Sequence, residues 1–245
     1  MTKRTLLGML TPSSNTTLEP VTSAIVSALP GVSAHFARFP VTEISLGERS
    51  QQQFDETRML DAARSLADAK VDVIAWNGTS SGWLGFERDQ RLCERITQAT
   101  GIPATTSVLA LNEIFERRKV SDFALVSPYL AAVQEKIIAN YLDAGVNCVA
   151  ERHLDLHINF EFSEVTDEQV RTMVMQVAEQ RPQAITTFCT NLRAAHLAPE
   201  LEALTGIPVY DTISTVVWKS LSLAGYEIHG DIGWGSLFRE PMHKA

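Results

Sequence analysis

Cysteine is scarce in this chain, long apolar runs are missing, and no block of basic residues occurs. Three cysteines, Cys93, Cys148 and Cys189, are spread through 245 residues without CxxC spacing. That pattern supports neither a disulfide framework nor a zinc site, and it fits a reducing, cytoplasmic setting. The apolar stretches stop well short of the ~18–20 residues that a membrane span needs. The N-terminal MTKRTLLGML begins like a signal peptide, but Thr11-Pro12-Ser13-Ser14-Asn15 breaks the run and no small-residue cleavage pattern follows. A net charge of −8 with no basic cluster disfavours nucleic acid and anionic membranes as partners. No Gly-Lys-Ser/Thr completes a Walker loop, and the glycine-rich stretch 230–235 is a loop signal rather than a dinucleotide fingerprint. What remains is a soluble cytoplasmic protein with a small-molecule or protein partner; a homo-oligomer is compatible with all of this.

What is present is ordered. Apolar residues make up 45% and charged residues 20%, the balance of a globular protein. The length allows one large domain or two small ones. Short apolar runs at 6–10, 33–39, 71–76, 121–126, 146–152, 184–188 and 207–209 read as strands. They alternate with amphipathic segments at 54–69, 88–100, 107–117, 130–144, 167–180 and 212–224. This alternation predicts an α/β fold, a mostly parallel sheet flanked by helices. Thr16-Thr17-Leu18-Glu19 and Thr166 with Gln169 each read as a capping box.

The chain also repeats itself. Thr100-Gly101-Ile102-Pro103 recurs as Thr205-Gly206-Ile207-Pro208, and Leu10-Thr11-Pro12-Ser13 has a counterpart in Val126-Ser127-Pro128-Tyr129. Setting Ile74 against Ile185 aligns the following strand ends and places Gly78 opposite Cys189. Two pseudo-symmetric halves follow, 1–118 and 119–230, with a tail at 231–245 and C-terminal helices that can cross back. Ligands of open α/β sheets bind beyond the carboxyl ends of the strands, so the active site is expected in the cleft between the halves. Four elements should converge there: Pro12 to Asn15, Gly78 to Ser81, Pro128-Tyr129 and Cys189-Thr190.

Each of these has a chemical and a plainer reading. Cys189, at a strand end before a helix, lies where N–H groups favour a thiolate or a polarised thiol, although a free cysteine is also a small hydrophobe. Gly78-Thr79-Ser80-Ser81-Gly82 can cradle an anion with hydroxyl and N–H groups, or form an ordinary turn. Pro12, Ser13, Asn15 and their neighbours offer similar donors, or a plain N-cap. Tyr129 supplies a phenol or simple packing. Trp76 and Trp83 wall a pocket or fill the core. His153, Asp155 and His157 alternate as metal ligands on one strand face would, but no fourth ligand has suitable spacing; a solvated strand face is the favoured reading, with no metal. Cys93 and Cys148 fall in helix and strand patterns as packing residues.

Taken together, these motifs resemble the aspartate/glutamate racemase superfamily, and within it the branch of maleate cis–trans isomerases and arylmalonate decarboxylases. Residues 12–17, Ser127-Pro128-Tyr129-Leu130, Asn159 and Cys189 are similar to the isomerase motifs, and Gly78-Thr79-Ser80 resembles the decarboxylase. The resemblance spans nearly the whole chain. Superfamily members normally carry one cysteine in each half; here the first-half position is Gly78, and only Cys189 remains. That pattern is decarboxylase-like, because loss of carbon dioxide requires a single proton donor. Ser13-Ser14-Asn15 and Asn159 are isomerase-like rather than decarboxylase-like, and Thr190-Asn191 follows Cys189 in place of the decarboxylase's glycine pair; these departures imply a more polar diacid than an arylmalonate.

The resemblance thus implies a cofactor-independent decarboxylase of a substituted malonate or related small dicarboxylate, with Cys189 as acid. Substrate would be bound by Pro12, Ser13, Asn15, Gly78, Thr79, Ser80, Tyr129, Asn159 and Thr190. An isomerase or racemase of a small diacid or amino acid, and a non-catalytic dicarboxylate-binding protein, are the alternatives.

Overall fold

A computed structural model describes residues 4–47, 53 and 56–239. Eight strands form two parallel sheets of four. The first contains β1 (Thr5–Pro12), β2 (Val32–Phe39), β3 (Val73–Trp76) and β4 (Ala104–Thr106), in the order β2-β1-β3-β4. The second contains β5 (Asp122–Val126), β6 (Asn147–Arg152), β7 (Ala184–Thr187) and β8 (Val209–Asp211), in the order β6-β5-β7-β8. Substituting each strand by the one four places later converts one order into the other. The nine α-helices among the described residues are α1 (Leu18–Ser27), α2 (Glu56–Asp68), α3 (Ser81–Leu84), α4 (Glu87–Thr100), α5 (Ser107–Arg118), α6 (Ala131–Asp143), α7 (Asp167–Ala178), α8 (Ala198–Thr205) and α9 (Thr212–Leu223). The helix read from residue 54 begins partly outside the described residues, and of the expected tail 231–245 the structure describes residues up to 239. No described helix is long and apolar enough to cross a membrane.

The central strands are buried on both faces, as parallel sheets with helices on either side must be: every residue of β3 and β7 is buried. The repeat survives at the level of single hydrogen bonds. Gly101 and Gly206 end α4 and α8 in the left-handed region, at φ 72° and 71°. Glycine reaches that conformation without a Cβ penalty. In both places the preceding threonine, Thr100 or Thr205, donates back to the helix at 2.7 Å and accepts from the following isoleucine N–H at 3.2 Å. Ile74 N–H then donates to Pro103 O and Ile185 N–H to Pro208 O. One residue short of the Gly78/Cys189 pair, Asn77 N–H donates to Leu10 O and Phe188 N–H to Val126 O. The backbone register therefore makes Gly78 and Cys189 equivalent positions.

The halves exchange their last helices. Almost every residue of α9 is buried, and the helix packs on α5 and on strands β1, β3 and β4 of the first sheet. In return Phe115 of α5 packs on Phe123 of β5 and Tyr210 of β8, at ring-centroid distances of 5.3 and 6.4 Å.

Two local expectations are corrected. The capping box at residues 16–19 does not form: Thr17 makes no side-chain cap, and Glu19 pairs with Arg38 at 2.8 Å. Asn15 and Asn191 cap α1 instead, as described below. The second box forms, with Thr166 and Gln169 exchanging both hydrogen bonds. Residues 153–157 are not a strand, because β6 ends at Arg152 and Asp155 turns into the left-handed region at φ 54°. Asp155 instead accepts the Ala131 N–H at 2.9 Å at the start of α6, and His153 is held by Glu151 at 2.8 Å. Among the described residues no three His, Cys, Asp or Glu side chains form a metal-ligand group.

Candidate active site

Strand ends from both sheets meet around a small cavity of about 20 Å³. It is lined by Pro12 from the end of β1, Trp76 and Gly78-Thr79-Ser80 from β3 and its continuation, and Cys189-Thr190 just beyond β7. Tyr129, Asn159, Trp83, Val41 and Ile44 complete it. Eight of the ten residues expected at the site thus face one space. The exceptions are Ser13 and Asn15. Ser13 accepts the Val41 N–H through its hydroxyl at 3.1 Å, which ties the end of β1 to the segment after β2.

Asn15 is fully used. Its Oδ1 accepts from Thr17 N and Leu18 N at 2.9 and 2.8 Å, and its Nδ2 donates to Thr190 O and Oγ1 at 3.0 and 3.3 Å. Asn191 reciprocates from the second half. Its Oδ1 accepts the Thr16 and Thr17 N–H groups, its Nδ2 donates to Asn159 O at 2.6 Å, and its own N–H donates to Cys189 Sγ at 3.4 Å. The first helix of one half and the thiol turn of the other are therefore one hydrogen-bonded unit. Asn159 adds a further link, from Nδ2 to Ser14 Oγ at 2.8 Å. Residues 42–44 pair across the cleft with 157–159, with Glu43 bridged to Ile158 and Ile44 N–H donating to His157 O. These cross-half bonds join residues some 115 to 175 positions apart, and local spacing carries no sign of them.

At the centre, Thr79 Oγ1 and the Tyr129 hydroxyl share a buried hydrogen bond of 2.6 Å. The Tyr129 ring is clamped edge-on by Trp83 and Phe162, both at 5.4 Å. Burial, and then the adjoining Cys189, push the phenol well above its usual range, so it stays a neutral donor. Thr190 Oγ1 donates to Asn77 O at 2.9 Å, which leaves its methyl group to fill space. Ser80 stands immediately before α3 on the cavity wall.

The electrostatics of Cys189 reverse one expectation. Its side chain is 2% exposed, and desolvation pushes the thiol up to about 11 despite hydrogen bonds from Tyr129 and the N–H groups of Asn191 and Leu192. Burial outweighs the N–H donors because removing the thiolate from water costs more than those donors return. The group is a protonated thiol at neutral pH. Asp211, at the end of the neighbouring strand, pushes it further the same way.

Asp211 is itself buried. It caps α9 by accepting from Ile213 N–H at 2.8 Å, and it accepts the Thr187 hydroxyl at 2.7 Å. Burial raises its carboxyl to about 6 from an ordinary 3.8. The folded chain therefore binds this proton more tightly than the unfolded chain. Its stabilising contribution is complete below pH ~4 and is lost as pH rises through ~6. Asp211→Asn retains an N-cap and removes that loss. Relative to the unsubstituted protein, the variant should gain roughly 2 kcal/mol between pH 4 and pH 7. Urea unfolding at several pH values reads this difference directly, and a difference that stays flat with pH would contradict it.

The fold is α/β, with two matched four-stranded parallel sheets whose strand ends meet at a cavity lined by one thiol, Cys189. Residues 7–238 match the arylmalonate decarboxylase family, and the chain belongs to it. It is 25% identical over 241 residues to a maleate isomerase of Pseudomonas putida, covering 93% of this chain and 94% of the relative. It is also 25% identical over 207 residues to the arylmalonate decarboxylase of Bordetella bronchiseptica, covering 82% and 86%. Among solved structures, a cysteine-to-alanine variant of a Pseudomonas putida maleate isomerase with maleate superposes with a TM-score of 0.89 at 20% identity, over 98% of this chain and 100% of that one. A liganded arylmalonate decarboxylase with glycine-to-cysteine and cysteine-to-serine replacements does so with a TM-score of 0.83 at 20% identity, over 96% and 99%.

Proposed function

We propose that the protein is a cofactor-independent decarboxylase of a substituted malonate or closely related small dicarboxylate, with Cys189 as the proton donor. The observation that carries this reading is the asymmetry of the cleft: a protonated thiol stands at Cys189, and the equivalent first-half position is Gly78 beneath an indole. One carboxylate is held by Thr79, Ser80 and Tyr129, whose donors are already oriented and dry. The second lies against Trp76, Val41 and Ile44, where its charge is poorly solvated and its departure as carbon dioxide is favoured.

Cleavage of the carbon–carbon bond leaves its electron pair on the α-carbon and the retained carboxylate, as an enediolate. Cys189 gives its proton to that carbon, and the resulting thiolate is stabilised by Tyr129 and the Asn191 N–H until it regains a proton from water. For each turnover, one malonate dianion and one proton give one monocarboxylate and carbon dioxide. Proton delivery from one face gives a single enantiomer when the α-carbon is prochiral.

The test is carbon dioxide release from a panel of substituted malonates, with the product formed in heavy water examined for one deuterium at the α-carbon. No release from any member would overturn the reading. A second reading, isomerisation or racemisation of a small diacid, is favoured by the Ser14–Asn159 contact, which adds polar groups at the cleft. Conversion of maleate to fumarate, or deuterium exchange without carbon dioxide, would establish it instead.

A further inference from the structure

The space facing Cys189 is occupied. A Cβ on Gly78 would lie 2.0 Å from Cζ2, 2.4 Å from Cε2 and 2.7 Å from Cη2 of Trp76. The indole thus lies directly against the backbone at the position where a first-half side chain would emerge. Trp76 is not a residue that swings aside easily. It ends a central strand, paired with Leu10 on one side and Thr106 on the other, and is 1% exposed. Its ring packs on Phe39 with centroids 5.1 Å apart.

The rest of the wall is similarly fixed. Trp83 and Tyr129 line it as two further rings packed on each other, and Tyr129 is backed by Phe162 behind the wall. Val41 and Ile44 come from the segment that follows β2 and line the cavity together with the indole. The cavity, about 20 Å³ and partly open to the surface, holds about one water. A diacid can enter by displacing Val41 and Ile44, but an aromatic ring on its α-carbon would have to displace Trp76 and, with it, Phe39.

We propose that Trp76 is the specificity-determining residue of this site: its indole holds the face opposite Cys189 and restricts the substrate's α-substituent to about the size of a methyl group. For the reaction itself this rests on the decarboxylase reading above; the size limit concerns binding and is tested separately. The limit acts through shape alone, since the ring offers an apolar wall and places no acid or base on that face.

Binding to the full-length Cys189→Ser protein is measured by calorimetry for two series: malonate, methylmalonate and phenylmalonate, and succinate, methylsuccinate and phenylsuccinate. In whichever series binds, the methyl compound should bind at least about 10-fold more tightly than the phenyl compound. Trp76→Leu should raise phenyl affinity by at least about 10-fold, with Trp76→Phe intermediate. Phenyl compounds binding as tightly as methyl compounds with Trp76 in place would overturn the proposal. So would an unchanged order in both variants. If the leucine variant does not fold, the unsubstituted indole and the phenylalanine variant still decide. Methylmalonate that binds the active enzyme without releasing carbon dioxide sinks the decarboxylase reading and leaves the size limit standing; if no diacid of either series binds, both fall.

Discussion

Replacing Cys189 by alanine is expected to lower the decarboxylation rate by about 10²–10⁴-fold, with little change in KM. The reasoning is that the thiol acts late. In the proposed mechanism it contributes little to holding the ground-state diacid, whose retained carboxylate meets Thr79, Ser80 and Tyr129, and it is needed when the α-carbon takes up its proton. A loss confined to kcat is the signature of an interaction made in the transition state. A loss appearing wholly in KM would reassign Cys189 to binding. Its raised ionisation adds a second test. The acid is competent while protonated, and its value of about 11 keeps it so through the neutral and mildly alkaline range. On the alkaline side, therefore, this group should not depress the rate until pH approaches about 11. A cysteine working as a thiolate would show the opposite slope, with activity rising as the proton is lost. An ascending limb near pH 8 or 9, abolished by Cys189→Ala, would rule out the general-acid role.

Tyr129→Phe should cost about 10²–10³-fold in kcat, in the range found for loss of one preorganised donor to a developing oxyanion. The ring stays, clamped by Trp83 and Phe162, so the variant should fold and keep the shape of the cavity. What it loses is a hydroxyl that serves two neighbours, Thr79 Oγ1 and the Cys189 thiol. Both the enediolate and the thiolate left after proton transfer are then less stabilised. Thr79→Val removes the other member of the pair. Because the two hydroxyls work together, the double variant should fall well short of the product of the two single losses. Additive losses would show that they act independently. Steady-state kinetics on the three variants is sufficient to distinguish the cases.

The legibility of these features in the sequence follows the range of the interactions involved. Strands β1, β2, β3, β5, β6 and β7 are written as apolar runs and were readable within a few residues. β4 was not, because Ala104-Thr105-Thr106 has neither the length nor the hydrophobicity of a strand signal and pairs only because Pro103 delivers it to the edge of β3. β8 is displaced towards the C-terminus from the expected 207–209, since its partner β7 fixes the register at Val209–Asp211. The duplicated Thr-Gly-Ile-Pro was visible because a helix end is encoded locally. The true cap of α1 was invisible because half of it, Asn191, arrives from the other half of the chain. The same holds at the cavity: Gly78 opposite Cys189 could be read by alignment, whereas Trp76, two residues earlier at the end of β3, could be placed as wall or as core, and only the folded geometry shows the ring lying over the glycine. Val41 and Ile44 carried no local signal.

The exchange of α5 and α9 gives the duplicated design a property that neither half has. A half cut out on its own would bare the surface where its partner's last helix now rests, including the apolar bed of β1, β3 and β4 under α9. Two copies of such a half could cover each other only by trading those helices reciprocally, as a swapped pair. The single chain makes that trade internal, at an effective concentration set by its own connecting segments rather than by encounter. A single chain therefore allows the two strand ends to differ, one bearing a thiol and the other an indole, without either having to be self-complementary.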